Sequence, residues 1–169
     1  NKGEIAMTYK QDLLHPERFE KGFRVSKDKL QMALGEALKK VLSEYAPDRI
    51  IIEPSGVGKL SDVIKAVKDV EMHDACLNAY ATVVDANKCK MYMKNFGEFY
   101  NDQISSASAI VLSHTQTAKE HKIEECVALL REKNPDAVIV TTAWDSLSGK
   151  DILAAIEKRD TLGEAIKAL

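Results

Sequence analysis

The residues best suited to chemistry lie in the stretch Ile50-Ile51-Ile52-Glu53-Pro54-Ser55-Gly56-Val57-Gly58-Lys59. Three β-branched residues run into a carboxylate, a proline and a small flexible pair, as in a buried parallel strand whose carboxyl end carries polar groups. In an open α/β sheet that edge is where ligands bind. A carboxylate at such a position, here Glu53, suits Mg²⁺ or its bound water in a site that handles nucleotide phosphates. Gly56 has no Cβ, so its backbone N–H can come close to a terminal phosphate. The plainer reading of Glu53 is a strand-end carboxylate that caps residues 55–58. A second apolar run, Tyr80 to Asp85, also ends in a carboxylate, and Asp85 reads as a loop-ordering residue rather than a ligand. Trp144 follows a third run, Ala137 to Thr141, and an aromatic ring at such an edge can cover a base.

Sulfur chemistry is the other candidate. Cys89, Met91 and Met93 alternate, which on a strand would set three soft sulfurs on one face, suited to Cu(I) or Zn²⁺. Methionines at this spacing more often fill a core, and packing is the preferred reading. His73, Asp74 and Cys76 have a spacing compatible with a metal but lack a second ligand pair. Cys126 falls on the apolar face of a helical pattern and reads as core. Three cysteines are an odd, sparse set that fits a reducing compartment, so a cytoplasmic location is expected.

The elements that must position these groups follow from hydrophobic periodicity. Residues 4–9 alternate as a short strand within a poorly patterned arm over 1–27. From Ser26, a capping residue, apolar positions at helical spacing run to Tyr45 and stop at Pro47. The strand 50–52 comes next, then a helix from Lys59 with Leu60, Val63, Ile64 and Val67 on one face. After the strand 80–85, residues 92–104 read as loop plus helix. The strand 109–112, a helix around Ile123 to Leu130, the strand 137–141 and a helix around Ile152 to Ile156 complete the alternation. Thr161 and Glu164 form a capping box for a terminal helix over 158–169. Strands alternating with helices imply an α/β fold with a mainly parallel sheet and helices on both faces, one domain over 1–169 with its core at 28–157. Twenty-four basic against 26 acidic residues leave a net charge of -2, which gives no basic face for nucleic acid. No apolar run approaches the roughly 18 residues of a membrane span.

The order of the motifs resembles one family. Ile51-Ile52-Glu53-Pro54-Ser55-Gly56 is similar to the Glu-x-Ser-Gly segment of the CobW-type GTPases, relatives of the HypB and UreG nickel chaperones. Thr82-Val83-Val84-Asp85-Ala86 resembles that family's next strand. Ala109-Ile110-Val111-Leu112-Ser113-His114-Thr115-Gln116 stands where its guanine-recognition strand and loop belong, and Asn134-Pro135-Asp136-Ala137 resembles the Asn-Pro-x-Ala segment before the last strand. The resemblance covers roughly residues 28–157. It implies a P-loop NTPase-like fold that binds GTP and Mg²⁺ and couples hydrolysis to metal delivery, of the kind used in cobalamin synthesis. Glu53 would sit by Mg²⁺ and the attacking water, with Ser55 and Gly56 near the γ-phosphate. Ser113, His114 and Gln116 would approach the base, and Thr142 and Trp144 would line its far side. Expected partners are a guanine nucleotide, a transition metal (Zn, Co or Ni) and a metalloprotein client, with a homodimer as the assembly and neither nucleic acid nor membrane.

Three departures qualify what is carried over. No Gly-x-x-x-x-Gly-Lys-Ser/Thr occurs in the 169 residues, and Gly56-Val57-Gly58-Lys59 imitates only its end, with Leu60 in place of the Mg²⁺-binding hydroxyl. Without that loop the phosphates lack their nest of N–H groups. The expectation is that it lies upstream of Asn1 or outside this numbering. The alternative is a non-hydrolysing interaction or assembly module that keeps the fold. The family's Cys-x-Cys-Cys has no counterpart near Phe23 to Ser26. Its Asn-Lys-x-Asp stands as Ser113-His114-Thr115-Gln116, so an amide replaces a carboxylate that takes two hydrogen bonds from guanine, and selectivity for that base is expected to be weaker or differently arranged.

Overall fold

The computed structural model describes residues 5–8, 27–54, 58–69 and 76–157. They carry β1 (Ile5–Thr8), α1 (Lys27–Tyr45), β2 (Ile50–Glu53), α2 (Leu60–Lys68), β3 (Ala81–Asp85), α3 (Cys89–Asn95), α4 (Gly97–Ser106), β4 (Ala109–Ser113), α5 (Glu120–Lys133), β5 (Val138–Val140), a 3₁₀ turn (Trp144–Ser146) and α6 (Gly149–Glu157). The chain is α/β and every described strand pairing is parallel. The Ser26 cap, Ser55, Gly56, His73, Asp74 and the terminal helix over 158–169 lie outside the described residues. The chain divides into two compact units, Asn1–Leu77 and Asn78–Leu169.

In the first unit β1 pairs with β2, from Ile5 opposite Ile50 to Thr8 opposite Glu53. Helix α1 ends where the periodicity says it should. Ala46, just past it, takes a left-handed φ of 42° and donates its N–H to Leu42 O, and Pro47 prevents another turn. Leu38 of α1 and Val67 of α2 form the buried core, with Leu34, Ile50, Ile52, Val63 and Leu77 packed against it. Glu53 closes β2 and is exposed.

The second unit holds a three-stranded sheet in the order β3-β4-β5. The central strand β4 is buried from Ala109 to Leu112, as a continuous apolar run predicts for a middle parallel strand. Strand β3 alternates, with Thr82 and Val84 buried and Val83 57% exposed, so one face of it lies bare within this unit. The amino ends of the strands are clamped by polar side chains. Ser108 Oγ donates to Tyr80 O at 2.8 Å, and Tyr80 N–H donates back to Ser108 Oγ at 3.1 Å. Asn134, 6% exposed, donates through Nδ2 to Ile104 O and Ala107 O, both at 2.8 Å, and accepts from Ala137 N–H at 3.1 Å. These contacts belong to folding and leave the carboxyl ends free for other groups.

Residues 89–106 differ from the loop-plus-helix expectation. They form two helices broken at Phe96, which has φ -113° and ψ 26° ahead of Gly97. Tyr92 packs edge-on against Phe96 and Tyr100 across the break, with ring centroids 5.6 and 5.8 Å apart. This also corrects the alternating-sulfur reading. On a helix, residues two apart are turned about 200° from each other. Cys89 is accordingly buried while Met91 is 48% exposed, and the three sulfurs do not share a face.

Candidate functional site

The carboxyl edge of β3-β4-β5 gathers the candidate residues of the second unit. Strand register sets Asp85 opposite Ser113, so the ends of β3 and β4 lie level. Asp85 Oδ1 accepts the backbone N–H groups of Asn87 (2.9 Å) and Lys88 (3.2 Å) and so shapes the turn that leads into α3. Its other oxygen, Oδ2, lies 4.0 Å from Lys88 Nζ and 3.8 Å from His114 Nε2, the latter an ion pair only when the imidazole is protonated. Asp85 thus orders its loop and also faces the candidate loop after β4.

That loop begins with a left-handed residue, His114 at φ 60°. Histidine reaches this region less readily than glycine, so the conformation needs support. The His114 carbonyl supplies it by accepting Thr117 N–H (3.1 Å), Ala118 N–H (3.0 Å) and Thr117 Oγ1 (3.1 Å). Ser113 Oγ donates to Val84 O at 3.4 Å, tying the loop's start to β3. The His114 imidazole and Gln116 are exposed. Thr115 is buried, and its hydroxyl has no hydrogen-bond partner among the described residues. An unpaired buried hydroxyl is costly and calls for a partner.

Trp144 comes to the same edge from β5. Its indole Nε1–H donates to Leu112 O at 2.8 Å, which fixes the ring beside the end of β4 while 45% of the residue remains exposed. Thr142 lies exposed between β5 and the 3₁₀ turn. Ser113, His114, Gln116 and Trp144 are therefore gathered at one edge of the second unit. Glu53 stands at the carboxyl end of β2 in the first unit. Cys89 lies within the core of the second, and no group of three His, Cys, Asp or Glu side chains among the described residues is arranged to hold a metal ion.

An aromatic face and exposed amide and imidazole groups at the carboxyl edge of a parallel sheet make a set that fits a flat heterocycle. The 169 residues contain no phosphate-binding loop of the Gly-x-x-x-x-Gly-Lys-Ser/Thr type to accompany it. Residues 26–141 match the family described as CobW/HypB/UreG, nucleotide-binding domain, which is more than half of the chain. The chain belongs to this family. No curated protein and no solved structure matches it. The CobW match includes Glu53, Asp85 and the 113–116 loop and stops before Thr142 and Trp144, whose place at the edge rests on geometry alone. Sequence reasoning gave Asp85 only a loop-ordering role and gave Thr115 none. The strand-terminal position of Asp85 was a visible signal, whereas the burial of Thr115 depends on a backbone turn that residue types do not reveal.

Proposed function

We propose that this chain is the nucleotide-binding part of a CobW-type GTPase that works with Mg²⁺ in metal delivery or metallocofactor assembly. Family membership supports the reading, and the observation that carries it is the gathering of Ser113, His114, Gln116 and Trp144 at one carboxyl sheet edge. The base would lie against Trp144, with Gln116 offering hydrogen bonds to its rim. Glu53 is assigned to the water on Mg²⁺. The ion, when bound with nucleotide, supplies charge neutralisation at the phosphates, and Mg²⁺ commonly takes only one or two protein carboxylates. Residues 1–169 read as one CobW-like domain, with 28–157 as its core. The family match runs through both compact units, which supports this. A cytoplasmic location, a transition-metal cargo, a metalloprotein client and a homodimer belong to the same proposal. Among the described residues no helix is long and apolar enough to cross a membrane.

Trp144 is the single tryptophan, so its emission reports on the site directly. Titrating the chain with Mg²⁺ and GTP should change that emission and raise the melting temperature with dose, because a ligand that binds the folded state stabilises it by mass action. In a chain that carries the phosphate loop, Glu53→Ala should keep the emission change and lose turnover. Unchanged emission and melting temperature at millimolar GTP would overturn the reading. That outcome would favour the second reading, a non-hydrolysing interaction module on the same fold.

A further inference from the structure

We propose that Cys89 and Cys126 form a peroxide-responsive thiol pair that closes to a disulfide between α3 and α5. Cys89 opens α3 and Cys126 lies in the middle of α5. They are 1% and 2% exposed. The neighbouring residues hold the two helices at the same level, for Lys90 Nζ and Glu125 Oε1 form an ion pair at 2.8 Å. Both cysteines line a cavity of about 20 Å³ whose rim carries Lys90, Lys122 and Glu125. That volume holds one molecule of about the size of water, which excludes bulky oxidants.

The two sulfurs are not equivalent. The Cys126 S–H beside Cys89 holds the Cys89 thiol below its ordinary range, while the Cys89 side chain, and then burial, push Cys126 up. Burial likewise pushes up the Tyr100 hydroxyl next to them, which therefore stays protonated. Cys89 is thus the sulfur that reacts first, since the thiolate is the nucleophile, and Cys126 is the one that resolves.

The chemistry balances with a hydroperoxide as oxidant. The Cys89 thiolate attacks one peroxide oxygen; the S–O bond forms, the O–O bond breaks, and the departing oxygen takes a proton from solvent. Cys126, on losing its proton, attacks the Cys89 sulfur. The S–S bond forms, the S–O bond breaks and water leaves. Two thiols have lost two electrons and the peroxide has gained them. In a reducing compartment such a disulfide is transient and signals oxidant rather than serving as a permanent staple.

The test titrates the whole chain with hydrogen peroxide, blocks the remaining thiols, and maps the cysteines by mass spectrometry. Cys89 and Cys126 are expected to lose their free thiols together, in one linked peptide that dithiothreitol releases, while exposed Cys76 oxidises separately. In Cys126→Ser, Cys89 should stop at the sulfenic acid and be trapped by dimedone; in Cys89→Ser, Cys126 should stay reduced. Recovery of both thiols free in the wild-type chain at a dose that fully oxidises Cys76 would overturn the proposal, as would linkage through Cys76. The wild-type map decides the matter even where a variant does not fold.

Discussion

Asn134 gives the sharpest test of how the second unit is held together. Its amide bridges the end of α4 to the start of β5 with two 2.8 Å donations, a longer one of 3.4 Å to Ser105 O, and one accepted bond of 3.1 Å. Ile104, Ala107 and Ala137 are at most 1% exposed, so water does not replace the amide when it is removed. The Ala137 N–H and the Ala107 carbonyl would be stranded in Asn134→Ala, whereas Ile104 O keeps a weak bond from Ala107 N–H at 3.4 Å. Two buried groups left unpaired cost about 1–3 kcal/mol each, so a loss of roughly 3–4 kcal/mol is expected. That is a large part of the roughly 5–15 kcal/mol that holds a typical domain. In urea unfolding, with a slope of about 2 kcal/mol/M, the midpoint should fall by about 1.5–2 M. Asn134→Asp is expected to be no better. It keeps an acceptor for Ala137 N–H but turns a carboxylate oxygen toward the carbonyls. An Asn134→Ala midpoint within about 0.2 M of wild type would refute the reasoning, since even one ordinary hydrogen bond exceeds that.

Three further outcomes are expected. Ala46→Gly should raise stability by about 0.5–1 kcal/mol, because φ 42° strains an alanine and not a glycine; a lower melting temperature would contradict this. The Glu125 carboxylate, bonded to Lys122 and Lys90 at 2.8 Å each, is held down at about 2 from its ordinary 4.5. Its folded pKa is lowered, so the stabilisation is full above about 4.5 and disappears as pH falls through about 2. The stability gap between wild type and Glu125→Gln should therefore close as the solution is acidified, and a gap independent of pH would sink the assignment. Gln116→Asp should favour GTP over ATP by about tenfold in competition binding, the worth of one charge-assisted hydrogen bond at the lower end of its range. An equal change for both nucleotides would remove Gln116 from base recognition.

Much of this architecture was legible because it rests on periodicity. The four apolar runs that end at Glu53, Asp85, Ser113 and Thr141 became parallel strands, and Pro47 and Pro135 marked their approaches. The region 89–106 was less legible, since alternating sulfurs and aromatic spacing suit a strand and a broken helix about equally over so few residues. Only the Tyr92, Phe96 and Tyr100 packing decides between them. At the carboxyl edge, residue types pointed to Trp144, and the resemblance pointed to Ser113, His114 and Gln116. The Trp144 bond to Leu112 O, the His114–Asp85 approach and the unpartnered Thr115 hydroxyl depend on long-range geometry that local sequence does not encode. The Cys89–Cys126 contact, between residues 37 positions apart by their numbers, was hidden for the same reason.

The loop after β4 has an evolutionary consequence. Its backbone is fastened through the His114 carbonyl, which takes three donors, none from the side chains of Ser113, His114 or Gln116. Under the proposed base recognition, shape is carried by that carbonyl and recognition by the Gln116 side chain. On that proposal, single codon changes at 116 exchange one ligand preference for another with little effect on folding, so lineages sharing this scaffold are free to diverge in what they bind faster than in how they fold.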